Sequence, residues 1–491
     1  MLDRLVPDIE RNRQQILIDS SSPKNNNDIM FNKIYRDLKY KYSLTPFVSL
    51  LLHLDGIALS KSSKLNLWLF NCTIIELPVE LRYRRCNTVV LSVWVGYREP
   101  IIDAWLSESL QQLNTVKKIG TDICFIIVIT SVPIRSGFSY KIVIYGLTGD
   151  CPAIKLATKH VNHQGYWCCW FCYTKGIHED KKRQYYFENK LSLRSSFEYF
   201  YYSKEVQRTN TNIFGHLSVS PFTTVFDVPL PRSLIIDYMH VSLLRHTKTV
   251  IQYLYKNYLK PRERNELDER FRTQSFPHFF NRKMRPVKEF SYCKATGLRN
   301  MLLYGLLPLI RPFVPVPVAA HLSLYVTSMR LLHGPRKLGS DTELVANQLI
   351  SIYYKDHPLF YKKIQNYVLH LHCHLADQYY LHGSLSNLGV FGQESFLGYF
   401  SRGRSGTRNL GQIILNNYHV NIVLFVLQHH CENFTFKFQV DFTLYNQSQQ
   451  ISNNQSKEID GLFDPVNISI IALFTILIKL FVTVLTSIGA F

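Results

Sequence analysis

YKIVIYGLTGDCPAIKLATKHVNHQGYWCCWFCYTKG, residues 140–176, is the stretch on which the fold turns. Residues 141–148 are apolar, alternating and rich in β-branched side chains, which predicts a strand. The strand runs out at Gly149-Asp150, so a carboxylate stands at a strand tip. Pro152 suits the first turn of a following helix, where its missing N–H costs nothing. His160, His163 and the pair Cys169/Cys172, in CxxC spacing, follow closely. An acid at a strand end beside soft metal ligands is a chemical arrangement that packing alone does not explain.

Upstream, residues 48–54 are a short apolar run, a buried strand by length and flanks, ending at Asp55-Gly56. Residues 66–77 and 89–97 predict two more strands, separated by turn-like and basic residues (Pro78, Arg82, Arg84, Arg85). Pro100 opens a helix over 101–118, with Ile102, Leu106, Leu110 and Leu113 at helical spacing. Short connections make the first three strands antiparallel. The fourth, reached through a helix, runs parallel to the first. Two parallel neighbours with an Asp at each carboxyl end bring Asp55 and Asp150 together. That is the layout of an α/β, ribonuclease H-like mixed sheet. Residues 123–133 (ICFIIVITSVP) fit an extra strand or sequence foreign to the fold.

Downstream the pattern turns helical and basic, over 235–258, 294–309, 319–332 and 342–351, with a break at Pro308, Pro312, Pro315 and Pro317. The expected organisation is an N-terminal remnant (1–45), the first part of a catalytic core (46–176), a large mostly α-helical insertion (177–385) and the end of the core (386–445). A Gln/Asn/Ser-rich linker (446–465) and an apolar tail (466–491) follow. The tail has one charge, Lys479, and is long enough to span a bilayer. A spurious tail is the competing reading.

The 491 residues are 46% hydrophobic, enough for two or three cores. Lys plus Arg is 56 against 36 Asp plus Glu, a net +20, which favours a polyanionic partner such as nucleic acid or an anionic membrane surface. Aromatics at 13% argue against disorder. Ten cysteines, three of them clustered, suit a reducing compartment with one metal site better than a disulfide framework. The N-terminus carries no apolar signal region.

Asp55 and Asp150 as isolated residues would read as turn or cap residues. As a matched pair they suit two Mg²⁺ ions, which take oxygen ligands. A third acid is expected from a later helix, Glu394 or Asp237. Cys169 and Cys172 read as half of a structural Zn²⁺ site. His163 and His240 are the preferred partners, with His160, His178 and Cys168 as alternates. His370, His372 and His374 (HLHCH) read as surface or hydrogen-bonded core histidines rather than ligands, although His370 and His374 share a helix face. Arg282, Lys283 and Arg285, interleaved with aromatics, add to Arg262, Arg264, Arg270 and Arg272 as a basic face for phosphates and bases. Arg402, Arg404 and Arg408 form a basic loop, with Gly403 and Gly406, just past Glu394.

In order along the chain, DGIALSKSSKLNLW (55–68), LTGDCPA (147–153), HQGYWCCWFC (163–172), IIDYMH (235–240) and FGQESF (391–396) resemble the transposases of CACTA (En/Spm-type) DNA transposons, and transposase-domain proteins akin to them. The resemblance covers about residues 50–408. It implies a DDE triad at Asp55, Asp150 and Glu394 on a ribonuclease H-like core, with a helical insertion before the last acid. It also implies metal-dependent cleavage and transfer of DNA strands at transposon ends, in the nucleus. A homo-oligomer is a further candidate partner, and so is a membrane reached through residues 466–491. The rival readings are a catalytically inactive, transposon-derived DNA-binding or relic protein and a membrane protein anchored by its tail.

Overall fold

A computed structural model describes residues 2–19, 27–59, 64–119, 140–275, 280, 283–402 and 410–430. The strands are β1 (Phe47–Ala58), β2 (Asn66–Ile74), β3 (Val89–Gly96) and β4 (Lys141–Gly149). A small hairpin of β5 (Ile177–Glu179) and β6 (Lys182–Gln184) follows, then β7 (Leu234–Ile236). Five of these form one sheet in the order β3-β2-β1-β4-β7. β1–β2 and β2–β3 are antiparallel, whereas β1–β4 and β4–β7 are parallel. The chain is a mixed α/β protein with a mixed sheet, and the predicted relation of the first four strands holds. β7 is a correction. The helical reading of 235–258 swallowed it because a three-residue strand leaves no alternation to detect. Leu234, Ile235 and Ile236 are buried alongside β4 instead. Residues 123–133 lie outside the described residues.

The two central strands read as continuous apolar runs because both their faces are covered. On one side Val48, Leu52 and Leu54 of β1 and Ile142, Ile144 and Leu147 of β4 pack with Ile102, Trp105, Leu106, Leu110 and Leu113 of the helix Ile102–Ile119. On the other, Leu51, Val143 and Tyr145 pack against Ile34, Tyr35 and Leu38 of the helix Lys33–Lys41. The antiparallel side is closed by the helices Phe391–Arg402 and Leu410–His430. Phe396, Leu397, Phe400, Ile414, Leu415 and Tyr418 cover Leu67, Leu69, Val90 and Val93.

The register of β1 against β4 slips by one residue. Leu50 pairs with Ile144, but Leu51 pairs with Gly146, leaving Tyr145 as an extra residue in β4. Its hydroxyl lies 2.9 Å from His382 Nδ1. Past this bulge Leu54 lies opposite Gly149, so Asp55 and Asp150 come abreast. Gly149 is needed there, because a Cβ would lie 2.3 Å from the Leu54 carbonyl oxygen. Gly149→Ala is expected to push the two tips apart at a cost of about 1–3 kcal/mol. An unchanged urea midpoint would contradict this.

Between β5 and Glu394 the chain is mainly helical, and its apolar core is continuous with that of the sheet. At its centre lie buried histidines. His246 Nε2 is 2.9 Å from the Tyr353 hydroxyl, and His321 Nε2 donates to the Tyr353 carbonyl at 2.9 Å. His357 Nδ1 accepts from Gln365 at 2.9 Å. Tyr325, Tyr361 and His372 also face this group. Burial, and for His246 and His357 the neighbouring imidazoles, push these pKa values down, that of His321 to about 4. The three are therefore neutral in the fold, but protonate below about pH 6.5 once unfolded. The unfolded chain binds more protons in that window, so their contribution falls as pH drops from about 6.5 towards 4, by up to about 1.4 kcal/mol per pH unit for each. Buried acids such as Glu76, whose carboxyl burial raises, act in the opposite direction. The test is therefore a comparison. Urea unfolding of His246→Gln between pH 7 and 5 should show a shallower loss than the parent chain, and equal slopes would refute the assignment.

Candidate functional site

Three parallel strands deliver three aspartates to one edge of the sheet. Asp55 follows Leu54 in β1 and is 3% exposed. Its Oδ1 accepts from the Gly56 N–H at 2.7 Å. Asp150 follows β4 and caps the helix Cys151–Thr158, with Oδ1 accepting from the Ala153 N–H at 2.8 Å. The cap reading and the site reading of Asp150 are thus both true, since the cap uses one oxygen and leaves the other. Asp237 follows β7, which pairs Ile236 with Gly149, so it lies abreast of Asp150 on the far side from Asp55.

Glu394 comes from the first turn of the helix Phe391–Arg402 and shares a hydrogen bond with Asp55. Its Oε1 is 3.3 Å from His240 Nε2. The two candidates for the third acid differ sharply. Asp237 Oδ1 accepts from the backbone N–H groups of Met239 (2.9 Å) and His240 (3.2 Å), and Oδ2 is paired with His240 Nδ1. Both its oxygens are committed, whereas Glu394 faces the aspartate pair.

Electrostatics mark this edge as short of positive charge. Burial, then the charges of Asp150 and Glu394, hold the Asp55 carboxyl well above the usual range. Burial also raises Asp150, against the Ala153 N–H and His240. For His240, burial opposes the charge, but Asp237, Glu394 and Asp55 outweigh it and raise the pKa to about 10, so the ring is protonated at neutral pH. Hard carboxylate oxygens crowded against one another are a donor set that a divalent cation relieves. Asp55, Asp150 and Glu394 offer the oxygen donors that such an ion takes.

A second cluster joins the segment after the helix Cys151–Thr158 to the helix Tyr367–Leu371 and the turn that follows it. Cys169, Cys172, His370 and His374 are all buried, and their ligand atoms lie within 4.8 Å of one another. Cys172 Sγ is 3.2 Å from His370 Nε2, and Cys169 Sγ is 3.4 Å from His374 Nε2. Hydrogen bonds from Cys169, then from His370 and His374, lower the Cys172 thiol against its burial, the direction that favours the thiolate a metal takes. This Cys2His2 cluster could bind a metal such as zinc, which takes thiolate and imidazole in four-coordination.

The zinc partners expected from sequence are corrected. His163 is exposed in the turn 162–165, closed by the Gly165 N–H donating to the Asn162 carbonyl at 2.8 Å. His240 is engaged with the acids. Of the alternates, His178 is exposed, His160 packs on His216 with ring centroids 5.0 Å apart, and Cys168 Sγ lies 2.8 Å from the Tyr185 hydroxyl. His370 and His374, read as bystanders, are the histidines that meet the cysteine pair. Their HxxxH spacing was the available signal, and it stands 198 and 205 residues from the cysteines they meet.

The basic face is partly spoken for. Arg285 pairs with Glu289 at 3.3 Å, Arg270 with Glu266 at 2.7 Å and Arg272 with Glu269 at 2.6 Å. Arg264 donates to the carbonyls of Tyr255, Lys256 and Leu259, holding the end of the preceding helix. Lys283 is exposed. Arg402 is exposed two turns beyond Glu394 on the same helix. Arg282, Arg404 and Arg408 lie outside the described residues, as does the tail at 466–491. No helix among the described residues is long and apolar enough to cross a membrane. No protein-family model matches the chain, and no curated protein matches it.

Proposed function

We propose that the chain is a transposon-derived DDE polynucleotidyl transferase with a ribonuclease H-like core, acting on DNA in the nucleus. The observation that carries this is the pair Asp55 and Asp150, abreast on parallel strand tips, with Glu394 hydrogen-bonded to Asp55 from a helix laid over the sheet. These three carboxylates would hold two Mg²⁺ ions. When bound, magnesium there supplies activation of a water or 3′-hydroxyl nucleophile and neutralisation of the leaving oxygen in an in-line transfer.

The chain's own residues do the rest. Asp150 is aimed by its cap, and Asp55 by the Gly56 N–H. Lys283 and Arg402, both exposed, would meet backbone phosphates without reading sequence. Cys169, Cys172, His370 and His374 would hold a structural Zn²⁺ that fastens the helical body to the core. The net +20 charge agrees with a polyanionic partner.

The test is incubation of the full chain with supercoiled plasmid and with DNA carrying transposon ends. Nicking that needs Mg²⁺ or Mn²⁺ and stops with chelator supports the reading. Salt-sensitive DNA binding with no metal-dependent cleavage would instead identify a catalytically silent descendant.

A further inference from the structure

We propose that His240 is the positioning residue of the acid site, a bracket anchored on Asp237 that sets Glu394 against Asp55 and so completes the cation-binding set. The inference deepens the reading above and rests on it for the class of ligand, a divalent cation.

The problem it solves is geometric. Asp55 and Asp150 are fixed by backbone, one residue past paired strand positions and each hydrogen-bonded to a main-chain N–H. Glu394 has no such fixing. It comes from a distant part of the chain, has three side-chain torsions, and its side chain keeps 32% of its exposure. Left alone beside like charges, it would gain both entropy and solvation by swinging outward. Among the described residues, the contact that opposes this, besides the shared hydrogen bond with Asp55, is His240 Nε2 at 3.3 Å from Glu394 Oε1.

The bracket is itself held. His240 Nδ1 is paired with Asp237 Oδ2, which fixes the ring plane and directs Nε2 towards Glu394. Asp237 is pinned in turn by the Met239 and His240 N–H groups on its other oxygen, and by its place at the end of β7. The unit is rigid from the sheet outward to Nε2. His240 also lies in the first turn of a π-helical segment, Met239–Thr247. That wide winding is uncommon overall and is frequent at functional sites. Asp237 does not ligate in this arrangement. It holds the histidine that holds the glutamate.

The test is Mn²⁺ binding to the full-length chain, followed by the electron paramagnetic resonance of free Mn²⁺. Asp150→Ala identifies the signal from the acid site, and thermal unfolding without Mn²⁺ checks the fold. His240→Ala is expected to weaken binding about 10- to 100-fold, the range for residues that orient metal ligands. His240→Gln, whose amide nitrogen can reach the place of Nε2, should recover most of the affinity. His240→Asn, whose nitrogen falls near Nδ1 and can meet only Asp237, should not. If Ala fails to fold, the Gln and Asn pair still decides. Equal affinity in all variants, or rescue by Asn and not by Gln, overturns the inference while leaving the acid site standing. A parent chain whose Mn²⁺ binding is absent or untouched by Asp150→Ala removes the acid-site reading and the inference together.

Discussion

Cys172→Ser is expected to cost the chain about 5 kcal/mol or more and to lower its melting temperature by on the order of 10 °C. The four donors tie a loop behind β4 to a helix that returns some 200 residues later, and structural zinc in small domains is worth roughly 10–16 kcal/mol of folding free energy. Much of that would be lost with one thiolate. What remains is two buried imidazoles, the Cys169 thiol and a hydroxyl, without the charge that balanced them. Elemental analysis of the purified chain should give one zinc per molecule, and a strong chelator should reproduce the variant's melting curve. A metal-free parent that melts with the variant would remove the site.

The second large effect concerns the acids, where substitution can separate two roles. Asp150→Ala removes the proposed ligand and a helix cap together, and the cap alone is worth about 1 kcal/mol. Asp150→Asn keeps the cap, because asparagine serves there as well as aspartate does. It should leave stability within about 1 kcal/mol of the parent while metal-dependent cleavage falls by about a thousandfold or more, the loss of several kcal/mol of transition-state stabilisation. Asp55→Asn should go further. Burial and like charges make the Asp55 carboxylate costly in the metal-free chain, so its neutral isostere should be the more stable protein and the inactive one. Stability and cleavage moving in opposite directions is a signature that a structural aspartate does not give. Cleavage retained in Asp150→Asn would reject its assigned place.

The parts of this architecture visible in the sequence are those with local patterns. β1 and β4 are double-covered and therefore unbroken in their apolarity, and Asp-terminated tips followed from that. Glu394 and Asp237 were both legible as candidates for a third acid, and only the resemblance favoured Glu394. No periodicity distinguishes them, and only the committed oxygens of Asp237 separate their roles. The Cys2His2 cluster was half legible. CxxC announces itself, but its partners lie across the whole helical body, and two nearer histidines competed for the assignment. Charge was the least legible. Arg264, Arg270, Arg272 and Arg285 look alike as letters, yet one holds a helix end and three are neutralised by neighbouring glutamates.

The odd residue at Tyr145 has a consequence for portability. Upstream of it β4 keeps step with the core; downstream it keeps step with the acidic edge. A short graft of the tip onto a plain parallel strand would arrive one position out of phase, its aspartate beside a neighbour's backbone instead of a neighbour's carboxylate. Whoever borrows this edge for a new protein must carry the misfit along with the acids.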